Sequence, residues 1–168
     1  MADFQYRVAI LTASDKGSRG ERMDESGPLI RQIVEQAGYQ VGDYLILPDE
    51  QEQIADQLRR WSESGQIDLI LTTGGTGFSP RDCMPEATLA VADRLVPGIA
   101  EAMRAYSMKI TPRAMLSRAT SVICGSTLII NLPGSPKAVG ETLEYLLPSL
   151  GHGLDILTSR ASECARKD

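Results

Sequence analysis

The chain has 168 residues, a length that fits one domain spanning 1–168 and able to bury about 70% of its unfolded surface without disulfide or metal staples. Its 17 basic residues against 22 acidic ones give a formal charge of −5, which disfavours a nucleic-acid partner because backbone binding needs a basic face. Three widely spaced cysteines (Cys83, Cys124 and Cys164) without a C-x-x-C pair, and a lone histidine, His152, argue against a disulfide framework, a zinc site and histidine-dependent triads.

Along the chain, apolar runs alternate with helical periodicity, the pattern of a parallel sheet covered by helices. Tyr6 to Thr12 reads as a buried first strand. The start of the chain carries only the short apolar run Val8 to Leu11 and no small-residue cleavage site. No stretch approaches membrane-spanning length, so the expectation is a soluble protein of the reducing cytoplasm with no membrane partner. After a polar loop from Ser14 to Ser26, Leu29, Ile30, Ile33, Val34 and Ala37 share one helical face, and Gly38 is placed to end that helix. Val41 to Leu47 is the second strand. Ile54, Leu58 and Trp61 face one way on a helix from about Glu52 to Ser64, with Gly65 at its exit, and Ile67 to Thr73 is the third strand.

Pro85 suits the first turn of a helix carrying Ala87, Val91 and Leu95, which Pro97-Gly98 interrupts before a second helical stretch from Ile99 to Met108. Ser121 to Asn131 reads as two short strands joined at Gly125-Ser126, a hairpin that puts an antiparallel edge on the sheet. The final helix starts near Lys137 and carries Val139, Leu143, Leu146, Leu147 and Leu150, and Pro148 demands a break or kink in it.

In an open α/β sheet, ligands bind beyond the carboxyl ends of the strands near the switch in strand order. The segments that follow strands here are Thr12-Ala13-Ser14-Asp15, Leu47-Pro48-Asp49-Glu50, Thr72 to Asp82, and Asn131 to Lys137. The third is the most informative. It places Gly74, Gly75 and Gly77 within four residues between a strand and a helix, so that backbone at positive φ and successive N–H groups form a concave anion site. The hydroxyls of Thr73, Thr76 and Ser79 add donors, and the N-terminus of the following helix adds its positive dipole end. A tight strand-to-helix turn alone would also use glycines. The spacing is neither the dinucleotide G-x-G-x-x-G nor a P-loop, and Ser14 to Gly20 does not fit the dinucleotide pattern either.

Asp49 and Asp82 are hard oxygen donors at the same loops, the kind of ligand that holds magnesium together with substrate phosphates. A glycine cradle, two carboxylates and a cation, here Lys137, suffice for phosphoryl or nucleotidyl transfer, in which positioning and charge stabilisation carry the chemistry. The same residues also read as a turn residue after Pro48, a helix-start carboxylate and a solvated charge.

Thr72 to Thr88 (TTGGTGFSPRDCMPEAT) and Asn131 to Lys137 (NLPGSPK) closely resemble the MogA family, whose relatives include the G domain of gephyrin. Thr12 to Asp15, Asp24 to Pro28, Pro48 to Glu50 and Met115 to Arg118 match as well, so the resemblance spans nearly the whole chain. It implies a three-layer α/β/α sandwich, a homotrimer, and a molybdopterin adenylyltransferase that uses Mg2+ and ATP to place AMP on the terminal phosphate of molybdopterin, releasing pyrophosphate. By motif, Gly74, Gly75, Thr76, Gly77 and Ser79 would hold phosphate and pterin groups, with Asp49 and Asp82 handling the metal. Pro133, Gly134, Ser135 and Lys137 would complete the nucleotide or pterin side, with Thr73, Ser14 and Asp15 in the adjoining loops. The chain departs from the commonest pattern at Cys83-Met84, where relatives often carry a small aliphatic residue and threonine. No second domain like those fused in gephyrin is expected here, so the resemblance implies a separate molybdenum-insertion partner. The alternative is a noncatalytic pterin-binding or carrier protein of the same superfamily.

Overall fold

The computed structural model describes residues 4–159, so Cys164 lies outside the described residues. A six-stranded sheet of order β2-β1-β3-β6-β5-β4 runs through the centre. Its strands are β1 (Arg7–Ala13), β2 (Gln40–Leu47), β3 (Leu69–Thr73), β4 (Arg94–Leu95), β5 (Ser121–Cys124) and β6 (Thr127–Leu132). β2, β1, β3 and β6 are parallel, whereas β5 runs antiparallel to both β6 and β4.

The strands alternate their side chains between two cores. Val8, Ile10, Leu69, Leu71 and Ile130 point to one face and meet Ile30 and Val34 of α2 (Ser26–Gln36), Met103 of α5 (Pro97–Met108), and Val139, Leu143 and Leu150 of α6 (Pro136–Leu157). Ala9, Leu11, Ile70 and Ile129 point the other way, onto Ile54, Leu58 and Trp61 of α3 (Gln51–Glu63) and Ala87 of α4 (Met84–Leu89). This is the expected three-layer α/β/α arrangement. The central strands read as unbroken apolar runs because both of their faces are covered, and Val8 to Leu11 are fully buried. Gly38 and Gly65 end α2 and α3 at positive φ, as their positions in the sequence foretell. Among the described residues, no helix is long and apolar enough to cross a membrane.

Four local expectations differ from the structure. The helix over Ala87, Val91 and Leu95 stops at Leu89, and Arg94–Leu95 instead forms β4, with Leu95 exposed. The open edge of β5 accounts for this: the Asp93 N–H donates to the Ile123 carbonyl and the Val96 N–H to the Ser121 carbonyl, so the chain gains strand bonds that a helix would forgo. Pro97 consequently opens α5 at its first position, where a missing N–H costs nothing. The hairpin turns at Gly125, with φ 58°, but its outer strand is covered by β4 and is not the sheet edge. Of the break or kink expected at Pro148, the break is absent, since α6 runs through that residue. Pro148 lies on the exposed face of that helix, where water can satisfy the carbonyl released by the missing N–H. The loop after β1, expected to be polar and irregular, also contains a four-residue helix, α1 (Asp15–Ser18).

One polar knot ties the centre of the sheet together. Asn131, fully buried in β6, donates to the hydroxyls of Thr72 (3.0 Å) and Thr88 (2.9 Å) and accepts the Thr120 N–H (3.2 Å). Replacing Asn131 by Ala strands these groups in a dry interior, and the expected cost is about 3 kcal/mol of stability, read as a lower urea midpoint at unchanged m-value.

Candidate functional site

Parallel register brings the carboxyl ends of the central strands to one level. Thr12 pairs with Thr73 and Thr73 with Leu132, while Ala13 pairs with Leu47. The chain leaves β1 for β2 on one side and returns to β3 on the other, so the switch in strand order lies at the turn beginning with Gly74.

Gly74 and Gly75 adopt φ of 86° and 71°. A Cβ on Gly74 would stand 2.4 Å from the Ala13 carbonyl oxygen, and one on Gly75 would stand 3.3 Å from Asp49 Oδ1. Both positions therefore require glycine for conformation and for close approach. Gly77 differs from the expectation. Its φ is not in the left-handed region, and its lack of a side chain is explained by Asp82 Oδ2, which lies 2.9 Å from where its Cβ would be. The N-terminus of α4 also differs, because the Met84 N–H donates back to the Gly75 carbonyl at 3.1 Å and is spent within the turn.

The turn divides the predicted residues into three groups. On the α2 side, Ser14, Thr73, Gly74 and Gly134 line a cavity of about 350 Å³ together with Arg22, Asp24 and Ser26. On the α5 side, Thr76, Pro133 and Gly134 line a second cavity of about 250 Å³, walled by Met103, Ile110 and Ala114. Gly134 belongs to both. On the α3 side, Asp49 and Asp82 approach Gly75 and Gly77 respectively, with Asp15 alongside. Several hydroxyls expected to meet a ligand are hydrogen-bonded within the protein. The Thr73 hydroxyl donates to the Pro133 carbonyl at 2.6 Å, and Ser14 and Ser135 accept backbone N–H groups at the starts of α1 and α6. Ser79 is exposed at the tip of the turn, and its N–H donates to Asp82 at 3.0 Å. Lys137 is exposed at the start of α6 and lines neither cavity.

Asp49 and Asp82 each have one oxygen held by a backbone N–H, that of Asp15 for Asp49 (3.0 Å) and that of Ser79 for Asp82. Burial raises the Asp49 carboxyl above its ordinary value, and the neighbouring Asp15 and Asp82 carboxylates raise it further, against the opposing pull of the Asp15 N–H and Arg81. Asp15 is shifted down, first by its hydrogen bond to Arg81. These features fit a divalent cation: two oxygen donors converge on one turn, and a positive charge there would relieve the repulsion that disfavours ionised Asp49. Among the described residues no cluster of three or more acidic, cysteine or histidine side chains is built to hold a metal, so water or substrate oxygens would complete the coordination beside the two carboxylates.

Two arginines not singled out as site residues organise the turn. Arg118, in the loop before β5, donates to the carbonyls of Gly77 (2.7 Å) and Asp82 (3.0 Å) and pairs with Glu86, while its own N–H donates to the Thr76 carbonyl. Arg81 pairs with Asp15 and Glu50. Asp24 accepts from Thr12, Tyr44 and the Ser26 and Gly27 N–H groups, fixing the start of α2 beside the first cavity. An acidic residue just before a helical pattern was the available signal for Asp24. Arg118 offered none by spacing, since it acts on a turn 41 positions away.

Residues 9–152 match the family described as a probable molybdopterin binding domain. The chain belongs to that family. It is 37% identical to the molybdopterin adenylyltransferase of Helicobacter pylori strain J99 over 165 residues, covering 96% of this chain and 93% of that protein. It is 42% identical to gephyrin of Dictyostelium discoideum over 93% of this chain, but spans only 23% of that longer protein. Among solved structures, the molybdopterin biosynthesis enzyme MoaB of Thermus thermophilus superposes with a TM-score of 0.88 at 48% identity, over 95% of this chain and all of that one. The chain thus shares its fold with a solved molybdopterin biosynthesis enzyme.

The raised Asp49 carboxyl has a consequence for stability. A carboxyl whose native pKa exceeds its unfolded value holds its proton more tightly when folded, so ionising it as pH rises through the native value costs stability. Asp49→Asn is therefore expected to match the wild type near pH 3.5 and to melt at a higher temperature than the wild type at pH 7, as followed by circular dichroism across that range.

Proposed function

We propose that this chain is a molybdopterin adenylyltransferase of molybdenum cofactor biosynthesis, transferring AMP from ATP to the terminal phosphate of molybdopterin. The observation that carries the reading is the pairing of Asp49 and Asp82 on one flank of the Gly74–Gly77 turn with two cavities on its other flanks. An oxygen of the molybdopterin phosphate attacks the α-phosphorus of ATP, the bond from that phosphorus to the bridging oxygen breaks, and pyrophosphate leaves. Phosphoryl chemistry of this kind asks the protein for positioning and charge stabilisation more than for covalent participation. Gly74 and Gly75 let the backbone approach the phosphates without a side chain between. Thr76, Gly77 and Ser79 extend the cradle, while Pro133, Gly134, Ser135 and Lys137 close the side formed by the loop after β6.

Asp49 and Asp82 would hold Mg2+, which when bound neutralises phosphate oxygens and favours departure of pyrophosphate. Arg118 keeps the Gly77 and Asp82 carbonyls occupied, so that they do not confront an anionic substrate. In our reading the chain works as a single domain over 1–168, as a homotrimer in the cytoplasm, and passes its product to a separate molybdenum-insertion protein. The exposed apolar side chains Leu95, Met108, Ile110, Met115 and Leu116 supply surface that assembly would cover.

Incubation with molybdopterin, ATP and Mg2+ is expected to yield pyrophosphate and a pterin heavier by one adenylyl group. Asp82→Asn should remain folded and lose at least about a hundredfold in rate, the scale of removing one group that stabilises transition-state charge. Pterin binding without pyrophosphate release by the wild type would identify a carrier protein instead. Gly75→Val, whose side chain would project into Asp49 and Met84 from a left-handed backbone, should lose ATP-dependent turnover and be less stable, read by the same assay beside a thermal melt.

A further inference from the structure

We infer that Arg81 is a positioning residue that fixes the Asp49 carboxylate by way of Asp15, an inference that rests on the proposed role of Asp49 toward a divalent cation. Asp49 and Asp15 clasp each other: the Asp15 N–H donates to Asp49 Oδ2 and the Asp49 N–H donates to Asp15 Oδ1, both at 3.0 Å. This clasp is only as rigid as Asp15. That residue opens the four-residue α1, which buries none of its side chains, so the core does not hold it.

Arg81 supplies the missing restraint. Its Nε donates to Asp15 Oδ2 and its Nη2 to Asp15 Oδ1, both at 3.0 Å, a two-pronged grip that fixes the carboxylate plane. The same Nη2 donates to Glu50 Oε1 at 2.7 Å, next to Asp49 in the chain. One guanidinium therefore pins the loops after β1 and β2 from its own place in the loop after β3, and Asp49 is held between the two pinned residues. A lysine at this position presents a point charge and cannot hold the plane of a carboxylate with two parallel bonds.

Stability alone does not account for the arrangement. The Arg81 side chain is 53% exposed, and ion pairs this open to solvent contribute little to folding. Its effect belongs to the orientation of Asp49. Groups that orient a metal ligand in this way typically alter metal affinity by 10- to 100-fold.

The test is titration of the full chain with Mn2+ alone, following free Mn2+ by electron paramagnetic resonance, for the wild type, Asp49→Asn, Arg81→Met, Arg81→Lys and Asp15→Asn, each with a thermal melt. Arg81→Met is expected to weaken Mn2+ binding about tenfold while its Tm moves by less than about 3 °C, with Arg81→Lys recovering part of the loss. Should Arg81→Met fail to fold, Asp15→Asn decides, since it keeps the backbone donor to Asp49 and an amide oxygen for the Asp49 N–H while removing the charge that Arg81 grips. Wild-type Mn2+ affinity in a folded Arg81→Met or Asp15→Asn protein, with binding lost in Asp49→Asn, overturns the positioning role and leaves the metal reading intact. Unchanged affinity in Asp49→Asn as well removes both.

Discussion

The contact on which the site depends is the approach of Gly74 to the Ala13 carbonyl. Because β1 and β3 are parallel neighbours ending at one level, with Thr12 opposite Thr73, their following loops must cross at van der Waals distance. Only a residue without a side chain, at positive φ, passes there. The Gly134 Cβ direction meets Gly74 in turn, at 3.6 Å, so the loop after β6 packs on the same residue. Three loops converge because one glycine lets them, and both cavities and the acidic flank are arranged around it. The Thr73 hydroxyl, bonded to the Pro133 carbonyl, and the Ser26 hydroxyl, bonded to the Gly134 carbonyl at 2.9 Å, then lock the loop after β6 in place.

That geometry separates the groups that stabilise the fold from those available for chemistry. Val8 to Leu11, Leu69 to Leu71 and Ile129 to Ile130 are buried on the strands, where removing methylenes costs stability through lost transfer energy and cavity formation. The carboxylates and hydroxyls proposed for function sit beyond the strand ends, on loops held by hydrogen bonds to one another. The Asp49 carboxyl, raised first by burial and then by the neighbouring Asp15 and Asp82 carboxylates, shows the cost of placing an acidic group there.

Much of this was legible beforehand, and the reasons are physical. Strands buried on both faces leave continuous apolar runs, amphipathic helices leave a 3.6-residue stripe, and glycines stand out where a turn needs them; these signals are local. The structure departs from the local signals where a distant group decides the outcome. Leu95 has the right spacing for the α4 face, yet the unpaired edge of β5 drew its segment into β4. Pro148 forbids one hydrogen bond, but its exposed position made that loss tolerable to α6. Spacing groups Gly77 with Gly74 and Gly75, whereas in the structure Asp82 Oδ2 occupies the space a side chain there would need. Arg81 and Arg118 carry no periodic signal at all, because their partners lie on other loops. Lys137, conspicuous beside NLPGSPK, lines neither cavity, whereas Arg22 lines the first.

A chain of net charge −5 does not attract phosphate-bearing molecules over long distances, and at physiological ionic strength screening removes most of that field beyond about 8 Å. Recognition of an anion must therefore come from groups at the strand ends themselves. Cationic side chains do gather there despite the acidic total: Arg22 on the first cavity, Arg104 and Arg113 on the second, and Arg81 and Arg118 about the turn. Of these, Arg81, Arg104 and Arg118 are already bonded to carboxylates or carbonyls and act as struts. Among the described residues, neither the Arg22 nor the Arg113 side chain meets a hydrogen-bond or ion-pair partner, and each faces a different cavity. Each cavity thus keeps one exposed arginine that no carboxylate or carbonyl holds, so positive charge at the strand ends is local and survives the acidic total.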